Sequence, residues 1–335
     1  MSTGELDETL TRLHSYGPEF DGYLSNHGPM AVEAMWRRGR DDALSGWTDD
    51  YVRRLDDAPG AGRPFPEAEW RQALGRADRA GDWLAHLRAE LTEQPWDDVL
   101  ARWWPRLLPG IAAGATHGVI RVGHAVQALR EAETAPRVDE LAHALAYWGM
   151  RWQPVPLARP AGTLAPSAVL PALPVVADQS GGIRHRLAQL PSTDRFTETA
   201  QGLAPPEDVP AALDRVIDAV VGGYAGWAPG DPTMLVHAAT APNAVRMTLP
   251  SLPSALWPDS FAAAWSAAAA VVAAYRPAST APSPAAPPAE EAFTIAVAHG
   301  SEHVIKFADT ALASYARTAD PAALAAIAQA VRLDA

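Results

Sequence analysis

Lys306 and the histidines near it are the residues of this chain best suited to unusual chemistry. Of the 27 lysine and arginine residues, Lys306 is the only lysine. His303 precedes it by three residues and His299 by seven, so one face of a continuous helix would hold all three side chains. Arginine is always charged, whereas a buried lysine can lose its proton and react. The neutral amine can then add carbon dioxide to form a carbamate, whose oxygens bind a metal much as a carboxylate does.

Codon usage offers a different explanation of the single lysine. The chain is rich in alanine, arginine and proline, as expected of a GC-rich genome in which lysine codons are scarce. One remaining lysine could then be a solvated surface residue. The flanking histidines and the apolar Val304, Ile305 and Phe307 favour a buried lysine instead. Both explanations remain open at this point.

Four histidines each lie beside small residues, as a crowded buried site requires: His27, His117, His237 and His303. Asn26 or His27 is expected at the N-terminus of a helix with Pro29 just inside it, and His237 lies in an apolar stretch that ends at Pro242. Imidazole suits iron, zinc, copper and nickel, but no local spacing matches HExxH or a facial triad. A site would therefore have to be assembled from separate segments. The remaining histidines of charged or loop segments are predicted to be ordinary: His14, His86, His143 and His185.

Two further histidines compete for places in such a site. His124 follows His117 by seven residues, and His299 precedes His303 by four. Gly300 is expected to break the helix between His299 and His303, which would turn His299 away from the face of His303.

Helical spacing of apolar residues dominates the chain, and no series of alternating strands with hairpin turns is found. The sequence therefore predicts an all-α fold, organised as one large helical domain over residues 1–335. Two proline-rich stretches are expected to be irregular, a loop at 153–175 and a Pro/Ala linker at 276–288. Helical segments are predicted over residues 6–13, 29–38, 66–90, 96–132, 138–148, 208–227, 258–275, 290–317 and 321–331. The segment 66–90 is expected to form one helix or two, and the segment 96–132 several helices, kinked or broken at Pro105 and Pro109.

Composition excludes several classes of partner and site. A net charge of −12 argues against nucleic acid and anionic membranes as partners. The absence of cysteine excludes disulfides and thiolate metal sites. The most apolar stretch, Phe261 to Tyr275, is too short to span a bilayer, and residues 1–13 lack the apolar core of a secretory signal. We therefore expect a soluble cytoplasmic protein, without a nucleotide-binding motif of its own.

Four segments of the chain together resemble the questin oxidase family, which includes fungal enzymes of anthraquinone and aflatoxin-type polyketide pathways and many uncharacterised bacterial members. The segments are NHGPM at 26–30, HGVIR at 117–121, VH at 236–237 and HVIKF at 303–307. They occur in the family's order, and the resemblance extends from about residue 10 to residue 330.

The resemblance implies a helical oxygenase that inserts oxygen into an aromatic polyketide ring or opens it, with Baeyer–Villiger-type chemistry. A fungal anthraquinone ring-cleaving member binds non-haem iron through four histidines and a carboxylated lysine. The implied partners are Fe²⁺, O₂ and a small aromatic substrate, with NADPH or another external reductant as an open requirement. Carried over by motif, the implied metal ligands are His27, His117, His237, His303 and Lys306.

Within this implied site, Lys306 and His303 are the expected catalytic residues, because a carbamate or a histidine can remove a phenolic proton. His117 matches the family position better than His124, so His124 and His299 are left as neighbours of the ligands. Arg121 and Arg246 could hold an anionic substrate oxygen, and could equally be surface arginines.

Two other classes of function are compatible with these residues. One is a metal-dependent hydrolase with a carbamylated lysine, although the chain lacks an HxH pair near its N-terminus. The other is a non-catalytic helical binder of hydrophobic aromatics. The sequence predicts no particular oligomeric state, substrate or regiochemistry.

Overall fold

A computed structural model describes residues 3–334 of the chain, and most of these residues are helical. Between the first two helices, strands β1 (Glu19–Phe20) and β2 (Leu24–Ser25) pair antiparallel, and they form the one sheet among the described residues. The predicted all-α class is therefore confirmed. Along residues 3–334, no helix is both long and apolar enough to cross a membrane.

The described residues group into two compact units. Unit 1 comprises the chain up to Pro154 together with Met247–Leu256, and unit 2 comprises Val155–Arg246 and the chain from Trp257 onward. That residues 1–335 form one domain stays a prediction. The short segment Met247–Leu256 belongs to unit 1 although it comes from far along the chain, and no change in amino-acid composition marks its ends.

The core of unit 1 lies around a central α-helix, against which other helices pack. The helices of this part of the chain are α1 (Thr3–Leu13), α2 (Gly28–Arg37), α3 (Asp41–Tyr51), α4 (Trp70–Ala73), α5 (Ala80–Glu93), α6 (Trp96–Leu107), α7 (His117–Glu131) and α8 (Ala135–Met150). Helix α8 packs against both α7 and α5, and α7 packs in turn against α2. Short 3-10 turns lie at Val52–Arg54, Glu67–Glu69, Ala77–Arg79, Leu108–Gly110, Leu249–Ser251 and Ser254–Leu256.

Unit 2 is built around two long helices near its centre. Its helices are α9 (Pro166–Ala172), α10 (Ile183–Ala188), α11 (Phe196–Gln201), α12 (Val209–Trp227), α13 (Pro232–Leu235), α14 (His237–Thr248, ending in unit 1), α15 (Trp257–Tyr275), α16 (Ala289–His299), α17 (Glu302–Thr318) and α18 (Ala322–Leu333). Helix α17 packs against α12, α16 and α18, and α12 also packs against α15, which is buried on nearly every side. Further 3-10 turns lie at Leu190–Ser192 and Ala228–Gly230.

One prediction about proline was wrong. The loop predicted at 153–175 contains the helix Pro166–Ala172, because Pro166 lies in the first turn, where its missing N–H has no helical acceptor to bond. Helix α14 continues through Pro242 to Thr248. The linker at 276–288 is irregular as predicted, whereas α3 was not predicted.

Gly300 separates α16 from α17, as the sequence predicted. Its φ of +86° lies in the left-handed region, which glycine adopts without a steric cost. His299 is consequently the last residue of α16, and His303 is the second residue of the separate helix α17, which begins at Glu302.

We predict that Gly300→Ala destabilises the protein by about 1 kcal/mol, because alanine pays for the left-handed conformation. Gly222→Ala is the matched control: Gly222 lies exposed inside α12, and a new Cβ there meets no described atom within 4 Å. That substitution should stabilise by about 0.5–1 kcal/mol. Urea denaturation of both variants measures the two free energies, and equal signs would contradict the prediction.

Candidate metal centre

His27 occupies the position predicted for it, as the N-cap residue of α2 with Pro29 in the first helical turn. The side chain that caps the helix is Asn26, whose Oδ1 accepts the Gly28 N–H at 3.0 Å. The backbone N–H of His27 donates to the Tyr51 hydroxyl at 2.5 Å. These contacts fix the backbone around His27 and leave its imidazole out of the capping interaction.

His117 is the first residue of α7, and its ring faces that of His27. The Nδ1–H of His117 donates to the carbonyl oxygen of Gly114, so in the neutral ring Nε2 has a lone pair. That Nε2 lies 2.7 Å from Nε2 of His27, and the two rings cross at 82°. Both side chains are buried. The pair therefore presents two imidazole nitrogens to the same point in unit 1.

The turn that precedes His117 has an uncommon backbone conformation. Gly114, Ala115 and Thr116 are all left-handed, with φ of 52°, 59° and 71°. Each non-glycine residue in this region costs about 1–2 kcal/mol. The strain is retained at the position where the Gly114 carbonyl meets the His117 ring, which suggests that it orients that ring.

His237 and His303 form a second histidine pair, within unit 2. His237 begins α14, and its Nδ1–H donates to the Met234 carbonyl oxygen at 3.1 Å. Burial, and then the charge of Lys306, lower the pKa of His237 to about 3, so its ring is neutral with Nε2 free of a proton. The His303 ring lies 5.3 Å away, at 72° to that of His237.

Lys306 is buried, with 1% of its surface exposed. Its Nζ has no hydrogen-bond partner among the described residues. Burial lowers the Lys306 pKa to about 7, although the charges of Glu302 and Asp334 act in the opposite direction. The single lysine is therefore no solvated surface residue, and near neutral pH a large fraction of its amine is uncharged.

The structure thus brings the five predicted ligands into two groups. His27 and His117 meet in unit 1, while His237, His303 and Lys306 lie together in unit 2. That one ion takes its ligands from both groups stays a prediction.

The two neighbours predicted near His117 each bind a carboxylate. His124 Nδ1 donates to Glu33 Oε2 at 2.6 Å. Arg121 is fully buried and binds both oxygens of Glu140, at 2.6 and 2.8 Å. These partners already compensate the charge of Arg121 and orient the ring of His124, which is the arrangement expected of residues that support a fold.

The neighbours predicted in unit 2 also have local surroundings of their own. Arg246 is half-buried, and its Nε lies 3.3 Å from Asp214 Oδ1. His299 lies on the far side of the Gly300 break from His303. Neither observation gives either residue a role toward a ligand.

The sequence did not predict a further histidine cluster, because it indicated ordinary surroundings for His14 and His143. The rings of His14 and His143 stack 4.5 Å apart beside Asp139. The Arg88 guanidinium binds both oxygens of Asp139, at 2.5 and 2.7 Å, and lies 3.1 Å from His143 Nε2. Because the Arg88 guanidinium already pairs with Asp139, this group is an ion-pair network. His143 follows Glu140 by three residues and Asp139 by four on α8, and this helical spacing is the feature of the sequence that could have predicted the cluster.

The cavity of largest volume described in unit 2 lies elsewhere. It measures about 810 Å³, and its described lining residues include none of the five predicted ligands. Its wall combines apolar Val169 and Val175 with the charged Asp194, Arg195 and Glu198. Its size alone therefore gives no reason to assign it to a substrate.

We predict that Gly114→Ala weakens the orientation of His117, because a Cβ at this left-handed position would overlap the phenol of Tyr147. The expected loss is about 1–3 kcal/mol of stability, with an altered His117 ring resonance in NMR spectra. Gly46→Ala, at an exposed site with no described atom within 4 Å of the new Cβ, is the control and should leave that resonance in place. An unchanged resonance in both variants would refute the role of the turn.

We predict that Lys306 contributes a component of its own to the pH dependence of stability in metal-free protein. Its pKa is about 7 when folded and 10.5 as a free side chain, so between these values the unfolded chain binds more protons. Stability should therefore rise with pH in this window, by up to about 1.4 kcal/mol per unit. Lys306→Met should lack this component. Urea denaturation of both proteins from about pH 7 to pH 10 measures the difference, and parallel curves would contradict the assignment.

The chain was compared with protein-family models and with curated proteins, and neither comparison finds a match.

Proposed function

We propose that the protein is a cytoplasmic non-haem iron oxygenase that acts on an anthraquinone-like aromatic polyketide. The observation on which this rests most is Lys306, the only lysine of the chain, buried and with no hydrogen-bond partner for Nζ among residues 3–334. An amine in this condition is costly unless something binds it. The ligands proposed for Fe²⁺ are the five that the resemblance implies: His27, His117, His237, His303 and Lys306.

The chemistry of the histidines fits a ferrous ion. Both His117 and His237 donate Nδ1–H to a backbone carbonyl, which leaves Nε2 as the donor atom, and this is the usual outer contact of a metal-bound imidazole. The low pKa of His237 keeps that ring neutral, as a ligand must be. Imidazole nitrogens with one anionic oxygen donor suit Fe²⁺ among the common metals.

Lys306 would supply the anionic donor after reacting with carbon dioxide. The uncharged Nζ forms a bond to the carbon of CO₂, one N–H proton is released, and the product is a carbamate with one negative charge. The lowered pKa makes the uncharged amine available near neutral pH, since an ordinary lysine is almost wholly protonated there. The Nζ atom of Lys306 then carries a carboxylate group, which takes the place of the missing hydrogen-bond partner.

Lys306, as its carbamate, or His303 would act on the substrate as a base. A carbamate oxygen on Lys306, or the half-buried His303, accepts the proton of a substrate phenol and so makes the ring electron-rich. When bound, the iron supplies the one-electron chemistry that O₂ requires. Cleavage by a dioxygenase consumes no outside electrons, whereas a monooxygenase takes two from a donor such as NADPH.

We predict about one iron per chain in wild-type protein and a much lower content in Lys306→Met. Methionine suits the buried position and removes the amine, so loss of iron would come from the lost ligand and not from unfolding. His237→Gln should also lose iron. His185→Gln is the matched control, because His185 is exposed and pairs only with Asp178 among the described carboxylates. Plasma mass spectrometry after anaerobic loading with Fe²⁺ measures the contents.

The same preparations separate the alternative functions. Oxygen uptake with hydroxylated polycyclic aromatics, dependent on iron and on bicarbonate, supports the oxygenase. Two zinc ions per chain with no oxygen uptake would replace it with the hydrolase. Equal metal content in wild-type protein and Lys306→Met would overturn the ligand set, and binding of aromatics without metal would leave the helical binder.

A further inference from the structure

We propose that Glu67, His86 and Glu90 form a second metal site, within unit 1, for a divalent transition-metal ion such as Zn²⁺. The three residues each have a donor atom within 4.8 Å of the other two. His86 and Glu90 lie four residues apart on α5, on one helical face. Glu67 comes from the 3-10 turn Glu67–Glu69, so an ion would join that turn to α5.

His86 is the residue that points to a ligand. Its side chain is more than nine-tenths buried, and its Nε2 has no hydrogen-bond partner among the described residues. The oxygen that faces it, Glu90 Oε1, is 3.4 Å away, too far for a good hydrogen bond and close enough for both atoms to bind one ion. A buried nitrogen without a hydrogen-bond partner destabilises the fold unless an ion or a water binds it.

Packing fixes the direction in which the His86 ring points. The ring of Phe65 stacks on it at 4.0 Å with an angle of 15°, and Trp103 lies edge-on at 5.6 Å. An imidazole between these rings has little freedom to turn toward solvent. The orientation of Nε2 toward the carboxylates is therefore built into the core of unit 1.

One oxygen of each carboxylate is held by a neighbouring side chain. Glu90 Oε2 accepts the Trp103 Nε1–H at 2.6 Å, and Glu67 Oε1 binds Arg106 at 2.6 Å. Outer contacts of this kind orient metal-binding carboxylates in proteins. One imidazole with two carboxylates is a donor set that Zn²⁺ accepts, with water completing the coordination.

Nearby arginines set the strength of the site. Arg106 pairs with Glu67, and Arg102 Nη1 lies 3.8 Å from Glu90 Oε1. Their charges oppose a dication, so we expect weaker binding than at an uncompensated pair of carboxylates. The surroundings of Asp139 differ: there a guanidinium hydrogen-bonds both oxygens of the carboxylate, whereas the Arg102 guanidinium lies 3.8 Å from the Glu90 oxygen beside His86, beyond hydrogen-bond distance.

Equilibrium dialysis of metal-free protein against Zn²⁺ tests the site. Glu67→Gln should bind one zinc fewer per chain than wild-type protein, or bind it at least tenfold more weakly. Glu67 is 57% exposed, so this variant is expected to fold. Glu69→Gln is the matched control: Glu69 is exposed, two residues away in the same turn, and should bind zinc like the wild type. Since none of these residues belongs to the proposed iron site, the difference is independent of that proposal.

A second variant tests the imidazole. His86→Gln, with its fold checked by circular dichroism, should lose the same zinc, and Co²⁺ should give wild-type protein a visible absorption that this variant and Glu67→Gln lack. Equal zinc binding by wild-type protein and Glu67→Gln would overturn the site. So would an equal loss in Glu69→Gln, which would show that zinc binds the acidic surface without a defined site.

Discussion

The burial of one amine without a partner is the constraint on which the candidate centre depends. Lys306 lies in α17, enclosed by α12, α16 and α18, and water that would solvate an ammonium group is excluded from it. In an environment of this kind the charged form is disfavoured and the neutral, reactive form is favoured. Close packing of a helix bundle is thus sufficient to change the chemistry of one side chain.

The histidines of the candidate centre share one local device. His117 and His237 each begin a helix, and each ring donates Nδ1–H to the carbonyl three residues earlier, Gly114 and Met234. A helix N-terminus has a partial positive charge, which disfavours a protonated imidazole there. In each ring the Nδ1–H bond leaves Nε2 as the atom with the lone pair when the ring is neutral. His27, at the N-cap of α2, occupies the same kind of position.

The other buried histidines have different surroundings and so a different chemistry. His124 binds Glu33, and His14 binds Glu140 within a network that Arg88 and Arg121 complete. Although burial acts to lower it, hydrogen bonds to Asp139 and Glu140 raise the pKa of His14. His14 and His124 are bonded to carboxylates, whereas His117 and His237 are bonded to carbonyl oxygens. The partner therefore distinguishes histidines of the network from potential ligands.

The sequence by itself determined the helical class, most helix positions, the break at Gly300 and the uniqueness of Lys306, because these depend on local spacing and on residue type. Only the tertiary structure decided that Lys306 is buried, that His27 meets His117 and that His237 meets His303, since these residues come from helices far apart in the chain. It also decided that Arg121 faces Glu140 and that His86 faces Glu90 without a hydrogen bond. Burial and pairing of charges arise from packing between distant segments, which no spacing along the chain records.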